Sequence, residues 1–423
     1  MKYKVPRGTR DILGSDMLVW NRVNDAIAKI TALNNYQKIE TPIFEQTDLF
    51  KRGVGENTDI VEKEMYTFED KSQRSLTLRP EGTASVVRAF VENKLYGGRL
   101  PIKLFYNGPM FRYEKAQKGR YRQFYQFGIE ALGSGDPGLD AEVISVGWQL
   151  LMDVGIDSEE VKVHINSVGC KECREKYKEK LIEYYQDKTE SLCSNCKTRL
   201  DKNPLRLLDC KNESCGAMAN KAPSIFDVIC TSCDEHFSSV KRYLEVFNVP
   251  YVLDKRLVRG LDYYTHTAFE YRNQKATSTQ DAFGGGGRYN GLVEELGGPQ
   301  TPAIGLAMGV DRIVLALLEK QLPQEHLNFF VVSMGEEEVQ RYATEVMQMI
   351  RQHGYSCDKD YGGRSFKAQM RLADKCNAEK AVIIGDEEMK NKTLTLKNLK
   401  EGKQEILLEK QLKQQLERGS LSV

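Results

Sequence analysis

Apolar residues recur every three to four positions between residues 16 and 33, and this spacing predicts a helix that ends at Asn34. The segment 36–44 reads as extended chain. A short strand is predicted over 75–79, and Thr83 stands where it could cap the helix that follows. The amino-terminal part of the chain therefore alternates helices with short strands.

Two longer segments, 103–114 and 123–132, predict strands on either side of a basic turn. From about residue 160 to residue 250 the pattern changes to cysteine pairs and Lys/Glu-rich helices with few β-branched runs. We interpret this change as an inserted subdomain, bounded at about 170–250. The earlier pattern returns at Leu257.

Three further segments complete the interrupted domain, which we bound at residues 1–322. They are a strand over 263–271, the glycine run 284–287 and an apolar stretch over 303–318 that we interpret as one helix. Pro323 marks the exit. Beyond it, strands and helices alternate, which predicts a separate α/β domain over 323–423.

The composition describes a folded protein of two or three domains, each large enough to bury its own core. Of the 423 residues, 40% are hydrophobic and 29% charged, and 61 basic residues nearly balance 60 acidic ones. This excludes a disordered chain and a disulfide-stapled miniprotein. A nucleic-acid partner would have to be met by a local basic patch, and residues 325–423 contain 16 basic and 16 acidic residues, so charge does not assign them a role.

The amino terminus, MKYKVPRGTR, lacks the apolar core of a signal peptide. No run approaches the roughly 18 apolar residues that a membrane span needs. We therefore expect a cytoplasmic protein with no membrane partner.

Eight of the ten cysteines fall between Cys170 and Cys233, and in a reducing compartment this clustering favours thiols or metal ligands over disulfides. The pairs are Cys170-x-x-Cys173, Cys193-x-x-Cys196, Cys210-x-x-x-x-Cys215 and Cys230-x-x-Cys233. Paired spacing is typical of tetrahedral zinc sites, so the insertion holds either a structural Zn²⁺ or unligated thiols. The five histidines are scattered and form no recognisable triad.

Candidate chemistry concentrates in the hairpin over 112–130. Between Arg112 and Arg122 there are five basic residues and one acidic residue. Strand geometry would place Arg112 and Glu114 on one face. The returning strand would show one face made of Phe124, Gln126, Gly128 and Glu130. Such a hairpin either holds a triphosphate between arginines or is a solvated charged loop.

Two other segments place polar groups beside turns. Glu81 and Thr83 lie at a strand-to-helix corner, where they either face a ligand or cap the helix. In the segment 257–267, Arg259 precedes Tyr263 and Tyr264, and strand alternation would put the two tyrosines on opposite sides. The glycine run permits either close approach of a ligand or a flexible hairpin, and it matches neither a Walker loop nor a dinucleotide motif.

The apolar stretch 303–318 contains only two charged residues, Asp311 and Arg312. A helix this apolar would be buried on most sides, so its arginine must meet an anion, either a ligand or a structural ion-pair partner. Gly305 and Gly309 are four residues apart and would clear one helix face for a bulky ligand.

Together these segments resemble the class II aminoacyl-tRNA synthetases. The hairpin, with Arg112-x-Glu114 and Arg120-x-x-x-Phe124, resembles their motif 2, the segment 305–312 resembles motif 3, and Thr41-Pro42-Ile43 resembles the end of motif 1. The segments Leu-Val-Arg259-Gly-Leu-Asp-Tyr263-Tyr264 and Gly-Gly-Gly-Arg288-Tyr289 look like the two motifs of the histidyl-tRNA synthetase family. The likeness runs from Pro6-Arg7-Gly8 through the carboxy-terminal domain.

The resemblance implies an α+β catalytic domain with a mixed, mainly antiparallel sheet flanked by helices. It implies ATP as substrate, with Mg²⁺, and a homodimer. Arg112 would hold the α-phosphate, with Glu114 also in the ATP site. Arg120 and Arg312 would hold the γ-phosphate, and Phe124 would stack on adenine. Arg259 would lie between the carboxylate of histidine and the α-phosphate. The histidine pocket would be lined by Glu81, Thr83, Gln126, Glu130, Tyr263 and Tyr264.

By the same resemblance the enzyme activates L-histidine and transfers it to the 3′ end of tRNA(His). Arg112 and Arg259 would be its catalytic residues. Lys115 stands where relatives often have arginine, which leaves Gln117 as the candidate contact to the tRNA acceptor end. The domain over 323–423 would bind the anticodon.

Two alternatives share parts of this pattern. One is a catalytically silent regulatory subunit of ATP phosphoribosyltransferase, but such relatives typically lose the arginine at position 259 and the carboxy-terminal domain, both of which this chain keeps. The other is a class II synthetase for a different amino acid, which would not share the sequence Arg259-Gly-Leu-Asp-Tyr-Tyr.

Overall fold

The chain divides into two units, residues 1–322 and 323–423. In the first unit, segments that alternate apolar and polar residues form strands of a large sheet. The computed structural model describes residues 3–55, 58, 60–261, 263–275, 282–320 and 326–419. Asp262 of the histidine-family motif and the predicted exit residue Pro323 lie outside the described residues.

Strands of the first unit occupy the segments predicted as extended over 36–44, 75–79, 103–114, 123–132 and 263–271, and further strands form where none was predicted. They are β1 (Gln37–Lys38), β2 (Phe44–Gln46), β3 (Tyr66–Glu69), β4 (Ser75–Leu78), β5 (Ile102–Phe111), β6 (Gln123–Leu132), β7 (Val161–Ser167), β8 (Tyr251–Leu253), β9 (Thr265–Asn273), β10 (Ala282–Arg288) and β11 (Ala303–Gly309).

The helices of the first unit include the predicted amino-terminal one. They are α1 (Ser15–Leu33), α2 (Thr47–Val54), α3 (Thr83–Glu92), α4 (Pro137–Asp153), α5 (Lys171–Gln186), α6 (Ser194–Lys202), α7 (Glu213–Ala219), α8 (Thr231–Val246), α9 (Leu292–Glu295) and α10 (Val310–Leu318).

Within the described residues, eight strands form one sheet in the order β1-β5-β6-β11-β10-β9-β7-β8. Neighbours are antiparallel except at the two edges, where β1 is parallel to β5 and β8 is parallel to β7. A second sheet joins β2, β4 and β3. The prediction of a mixed, mainly antiparallel sheet flanked by helices is confirmed.

Successive side chains of β6 point to opposite faces of the large sheet, as the alternation predicts. The side chains that pack in the core with α1, α4 and α10 are Phe127, Ile129 and Ala131. Gln126 and Phe124 line a pocket on the opposite face. The alternation along β6 therefore places apolar side chains in the core and the side chains of Phe124 and Gln126 in the pocket.

The interpretation of 303–318 as a single helix is wrong. Residues 303–309 form β11, paired with β6 on one side and β10 on the other, and α10 begins only at Val310. A central strand that is buried on both faces has a continuous apolar sequence, which its period cannot distinguish from a buried helix. Gly305 and Gly309 therefore do not lie on a helix face.

The insertion contains α5 to α8, and its first and last helices pack in different hydrophobic cores. A small core is built around Tyr177, Leu181 and Tyr185 of α5. Phe237, Val240 and Leu244 of α8 instead belong to the main core of the unit. The insertion is thus fastened to the main core through its last helix.

The second unit is an α/β domain, described by itself. Its sheet has the order β13-β12-β14-β15-β16, in which β12 is parallel to β13 and β14 and the remaining pairs are antiparallel. Its elements are β12 (Phe329–Ser333), α11 (Glu337–Gln352), β13 (Cys357–Lys359), α12 (Phe366–Lys375), β14 (Lys380–Ile384), α13 (Asp386–Asn391), β15 (Thr393–Asn398), β16 (Gln404–Leu408) and α14 (Glu409–Arg418). Among the described residues, no helix of either unit is both long enough and apolar enough to cross a bilayer.

Candidate active site

A pocket of about 240 Å³ lies on the face of the large sheet that α1, α4 and α10 leave uncovered. It brings together side chains from a strand-to-helix corner, a hairpin, a loop and the start of a helix. The predicted site residues that line it are Glu81, Thr83, Arg112, Glu114, Arg120, Phe124, Gln126, Arg259, Tyr263, Tyr264 and Arg312.

The hairpin of β5 and β6 supplies the cationic side of the pocket. Arg112 donates from Nε to the carbonyl of Pro80 at 2.9 Å, and its guanidinium carbon lies 5.2 Å from the centre of the Phe124 ring. Arg120 forms an ion pair with Glu114, and its Nη2 lies 3.7 Å from a carboxylate oxygen of Glu64. These contacts hold two guanidinium groups in fixed orientations around the pocket, as anion recognition requires.

The corner between β4 and α3 is capped by Glu81, and Thr83 is not the cap that the sequence predicted. The Glu81 carboxylate accepts from the backbone N–H of Thr83 at 2.7 Å and of Ala84 at 2.8 Å. Burial raises the pKa of Glu81, and these N–H groups oppose the rise. Because Glu81 satisfies the helix terminus, the Thr83 hydroxyl is available to donate elsewhere.

Glu130 lies behind the pocket wall, and the pocket lining includes its hydrogen-bond partners instead. It is completely buried, and the hydroxyl groups of Thr83 (2.7 Å) and Tyr289 donate to its two carboxylate oxygens. Burial raises the pKa of Glu130 to about 8, even though both hydroxyl groups favour its charged form. The carboxylate thus acts on the pocket through Thr83 and Tyr289.

Gln126 offers the pocket a buried acceptor. Its side chain is 9% exposed, and its Oε1 accepts no hydrogen bond from any described residue. An unpartnered buried polar atom is costly, and a ligand donor would remove the cost.

Arg259 lies against the large sheet and is held by a carboxylate. Its Nη1 donates to Glu270 of β9 at 2.9 Å, and its guanidinium carbon is 5.9 Å from the centre of the Tyr264 ring. Its buried Nε has no hydrogen-bond partner among the described residues. Glu270 also accepts from Arg272 at 2.8 Å, so a single carboxylate orients two arginines.

The two tyrosines of the same motif do not alternate, because both precede β9. Their ring centres are 4.6 Å apart, and both line the pocket. The prediction of opposite sides is wrong, since alternation applies only within a strand.

The glycine run forms β10, a central strand rather than a flexible hairpin. A Cβ atom on Gly285 would come within 2.7 Å of Arg259 Nη1, and one on Gly286 within 2.0 Å of the carbonyl oxygen of Gly305. On β11, a Cβ on Gly305 would lie 1.9 Å from a Glu130 carboxylate oxygen. The glycines therefore make room for the site's own charged side chains.

Arg312, in the first turn of α10, donates from Nη1 to the carbonyl of Ala282 at 2.6 Å. Asp311, which also lines the pocket, is the ion-pair partner of Arg10 at 3.1 Å. Asp311 also accepts from the backbone N–H of Tyr125 at 2.7 Å. The amino-terminal segment, α10 and β6 are thereby joined around the pocket, and Asp311 has a structural role.

Glu130 is the one residue predicted to line the histidine pocket that the described lining does not include, and two other residues of the quoted motifs also lie outside it. Gln117 is exposed on the hairpin loop and is absent from the pocket lining, as is Glu130. Arg288 is completely buried and pairs with Asp140, while its Nη1 donates to the carbonyl of Ser134 at 2.8 Å. Arg288 therefore secures the start of α4 and takes no part in the pocket.

Sequence reasoning missed Glu270 and the hydroxyl of Tyr289. Each had a detectable signal, because Glu270 is an acidic residue between Phe269 and Tyr271 in β9, and Tyr289 comes two residues after the glycine run. Neither signal identified a partner, because Tyr289 donates to a residue 159 positions away and the Arg259 that pairs with Glu270 lies in a loop.

An arginine-lined pocket on the exposed face of an antiparallel sheet, with motif 2 as its hairpin, places the first unit among class II aminoacyl-tRNA synthetases. The sequence profile described as "Histidyl-tRNA synthetase" matches residues 8–313, and the profile described as "Anticodon binding domain" matches residues 328–418. The chain belongs to the histidyl-tRNA synthetase family.

Individual relatives agree over nearly the whole length. The chain is 51% identical to the histidine–tRNA ligase of Halothermothrix orenii, over 96% of this chain and 97% of the relative. It is 48% identical to the histidine–tRNA ligase of Desulforamulus reducens, over 95% of each. The solved structure of histidyl-tRNA synthetase from S. aureus superposes with a TM-score of 0.82 at 40% identity, covering 98% of this chain and 100% of that one.

Proposed function

We propose that this protein is a histidine–tRNA ligase that activates L-histidine with ATP and then transfers the histidyl group to the 3′ end of tRNA(His). The observation that supports this most directly is the juxtaposition, in one pocket, of the histidine-family residues Arg259, Tyr263 and Tyr264 with the motif 2 arginines Arg112 and Arg120. A histidine site and a triphosphate site would then share one wall.

In the activation step the histidine carboxylate attacks the α-phosphorus of ATP and pyrophosphate leaves. A carboxylate is already ionised at neutral pH, so the reaction needs alignment and charge neutralisation rather than a general base. We assign Arg112 and Arg259 to the reacting α-phosphate. Arg120 and Arg312 would take the γ-phosphate, and Phe124 would stack on adenine.

Glu114 and Glu270, which both line the pocket, would supply the carboxylate oxygens that hold Mg²⁺. When bound, the ion would neutralise phosphate charge. Both carboxylates already pair with arginines, so the protein residues alone give the site a balanced charge.

Histidine selection would rest on buried polar groups. We assign Glu81, Thr83, Gln126, Tyr263 and Tyr264 to the histidine pocket, with Glu130 acting through Thr83. A pocket whose acceptors are left unpaired by the wrong amino acid rejects that amino acid more strongly than shape alone would.

In the transfer step Gln117, exposed on the hairpin loop, would contact the acceptor end of the tRNA. The unit over 323–423 would bind the anticodon, as its matching profile suggests. We further propose a homodimer that works in the cytoplasm.

ATP–pyrophosphate exchange with each of the twenty amino acids, without tRNA, tests the activation step. Exchange with histidine alone is the expected result. Charging of tRNA(His), but not of another tRNA, then tests transfer. Folded protein that exchanges with no amino acid would contradict the proposal and would favour the regulatory-subunit alternative.

A further inference from the structure

The eight cysteines of the insertion come together as two separate groups. One contains Cys170, Cys173, Cys230 and Cys233, and the other contains Cys193, Cys196, Cys210 and Cys215. In each group the four sulfur atoms lie within 4.8 Å of one another. The sequence predicted paired cysteines, and the fold decides which pairs meet.

Each Cys-x-x-Cys pair has the same local structure. Cys170, Cys193 and Cys230 are the residues just before α5, α6 and α8, and their partners lie in the first turn of each helix. Backbone N–H groups there point towards the sulfur atoms. Cys230 N donates to Cys173 Sγ at 3.2 Å, and Cys193 N donates to Cys215 Sγ at 3.3 Å. Such bonds stabilise thiolates, the form in which cysteine binds a metal.

Gly169 provides the turn that brings the first pair into place. Its φ is +68°, a left-handed conformation that suits glycine, and a Cβ there would lie 2.5 Å from the Cβ of Cys173. Only a glycine fits before Cys170 without displacing the ligand pair.

The sulfur separations match one ion per group. Cys170 Sγ and Cys173 Sγ are 3.5 Å apart, and Cys193 Sγ and Cys210 Sγ are 3.8 Å apart. Tetrahedral zinc with Zn–S bonds near 2.3 Å would separate its sulfur ligands by about 3.8 Å. A four-iron cluster would not fit between sulfur atoms this close together, because it carries its ligands on the outside of a larger cage.

The insertion also has little else to hold its middle together. Its core cluster contains the four buried cysteines Cys173, Cys196, Cys215 and Cys233 among only twelve buried residues. Small folds with so few apolar side chains are commonly stabilised by metals or disulfides. All ten cysteines of the chain are free thiols in the structure.

We propose that the insertion binds two structural Zn²⁺ ions, each through four cysteine thiolates. The first ion, at Cys170, Cys173, Cys230 and Cys233, ties the start of α5 to the start of α8. The second, at Cys193, Cys196, Cys210 and Cys215, closes the segment between those helices. All-sulfur tetrahedral ligand sets select zinc among common cellular divalent ions.

The first zinc site also supports the Arg259 segment. Arg174, next to Cys173, donates to the carbonyl of Tyr264 at 2.9 Å. Further along the insertion, Arg206 donates to the carbonyl of Gly260 at 3.3 Å. Arg256 in turn donates to the carbonyl of Leu208 at 3.0 Å. A metal-stabilised insertion would therefore act as a backing for the loop that contains Arg259.

Metal analysis of the full-length protein, purified without chelator or added metal, tests the proposal. We expect two zinc ions per chain, and X-ray absorption should show four sulfur neighbours at about 2.3 Å. The double variants Cys193→Ser/Cys196→Ser and Cys230→Ser/Cys233→Ser should each lose one zinc. Cys376→Ser, outside both groups, should keep two.

Thiol titration of protein denatured without reductant but with EDTA, which frees any zinc-bound thiolates, separates the alternatives. Zinc-free protein with all ten thiols reactive would overturn the proposal in favour of unligated cysteines, and fewer than ten reactive thiols would overturn it in favour of disulfides. Iron in place of zinc would also overturn it. If a double variant fails to fold, the metal content and absorption spectrum of the unmodified protein decide alone. None of these readings depends on catalytic activity.

Discussion

Glu130 shows how a single buried carboxyl group can affect both stability and recognition. It has no exposure to solvent, and its two donors are hydroxyl groups rather than cations. Its pKa of about 8 in the fold lies above the value of about 4.5 that it has in an unfolded chain. The folded protein therefore holds a proton there that the unfolded chain releases at neutral pH.

The first prediction concerns stability against pH. Since the pKa of Glu130 is raised in the fold, its contribution to stability is fully present below about pH 4.5 and is lost as the pH rises towards 8. A Glu130→Gln variant lacks this proton. Its melting temperature relative to the unmodified protein should therefore rise between pH 5 and pH 8 and then level off. Melting curves across that range measure the difference, and Glu345→Gln, at an exposed position of α11, should show no trend.

The second prediction concerns Arg259. Arg259→Ala removes a charge that we place at the reacting α-phosphate, so the single-turnover rate of histidyl-adenylate formation should fall roughly 100-fold. Folding should be preserved, because Glu270 keeps Arg272 as a partner. Arg341→Ala, whose side chain is 78% exposed in the other unit, is the matched control. An unchanged rate in the Arg259 variant would remove this residue from the mechanism.

At the scale of elements, the four glycines of β10 are packed too closely to accept a side chain. Gly286→Ala would put a Cβ atom 2.0 Å from a backbone oxygen of β11, and neither backbone can move without opening the sheet. We predict a loss of about 2 kcal/mol or more in the free energy of unfolding, measured by denaturant titration. Gly97→Ala, with open space around it, should change little. Equal midpoints for both variants would contradict this packing argument.

Helices and strands whose apolar residues recur at a regular spacing were predictable from the sequence. Elements with an unbroken apolar sequence were not. Helix α1 and strand β6 show their periods because each has one face in the core and the other against different surroundings. Strand β11 is buried on both faces, so its apolar sequence resembled a helix.

The candidate site divides in the same way. The identities of Arg112, Arg259 and Arg312 followed from likeness to family motifs. Tyr289 and Glu130 are 159 residues apart in sequence, and the Arg259 that pairs with Glu270 lies in a loop, so sequence patterns specify neither contact. The grouping of the eight cysteines could not be predicted either. The pair Cys170 and Cys173 groups with Cys230 and Cys233, and not with the pair that follows it in sequence.

For the whole molecule, the two units have separate hydrophobic cores. We therefore expect residues 1–322 to activate histidine without the second unit, and this expectation can be tested. A chain that ends at Leu322 should retain histidine-dependent ATP–pyrophosphate exchange. Its kcat/KM for charging tRNA(His) should fall at least about tenfold, since contacts worth roughly 1.4 kcal/mol or more would be lost. Charging at the full-length rate would contradict anticodon binding by residues 323–423.

The pocket itself lies where a sheet protein would ordinarily place side chains. The glycines of β10 and Gly305 of β11 contribute no side-chain atoms, and Gln126 and Arg259 each keep a buried polar atom with no partner among the described residues. Bound histidine and ATP would fill the space that the glycines leave and would supply partners for the buried polar atoms. The substrates would then pack as part of the core of the protein while they are bound. A cell short of histidine would then hold this enzyme in a less stable form, more open to proteolysis, and abundance of the protein would follow supply of its amino acid.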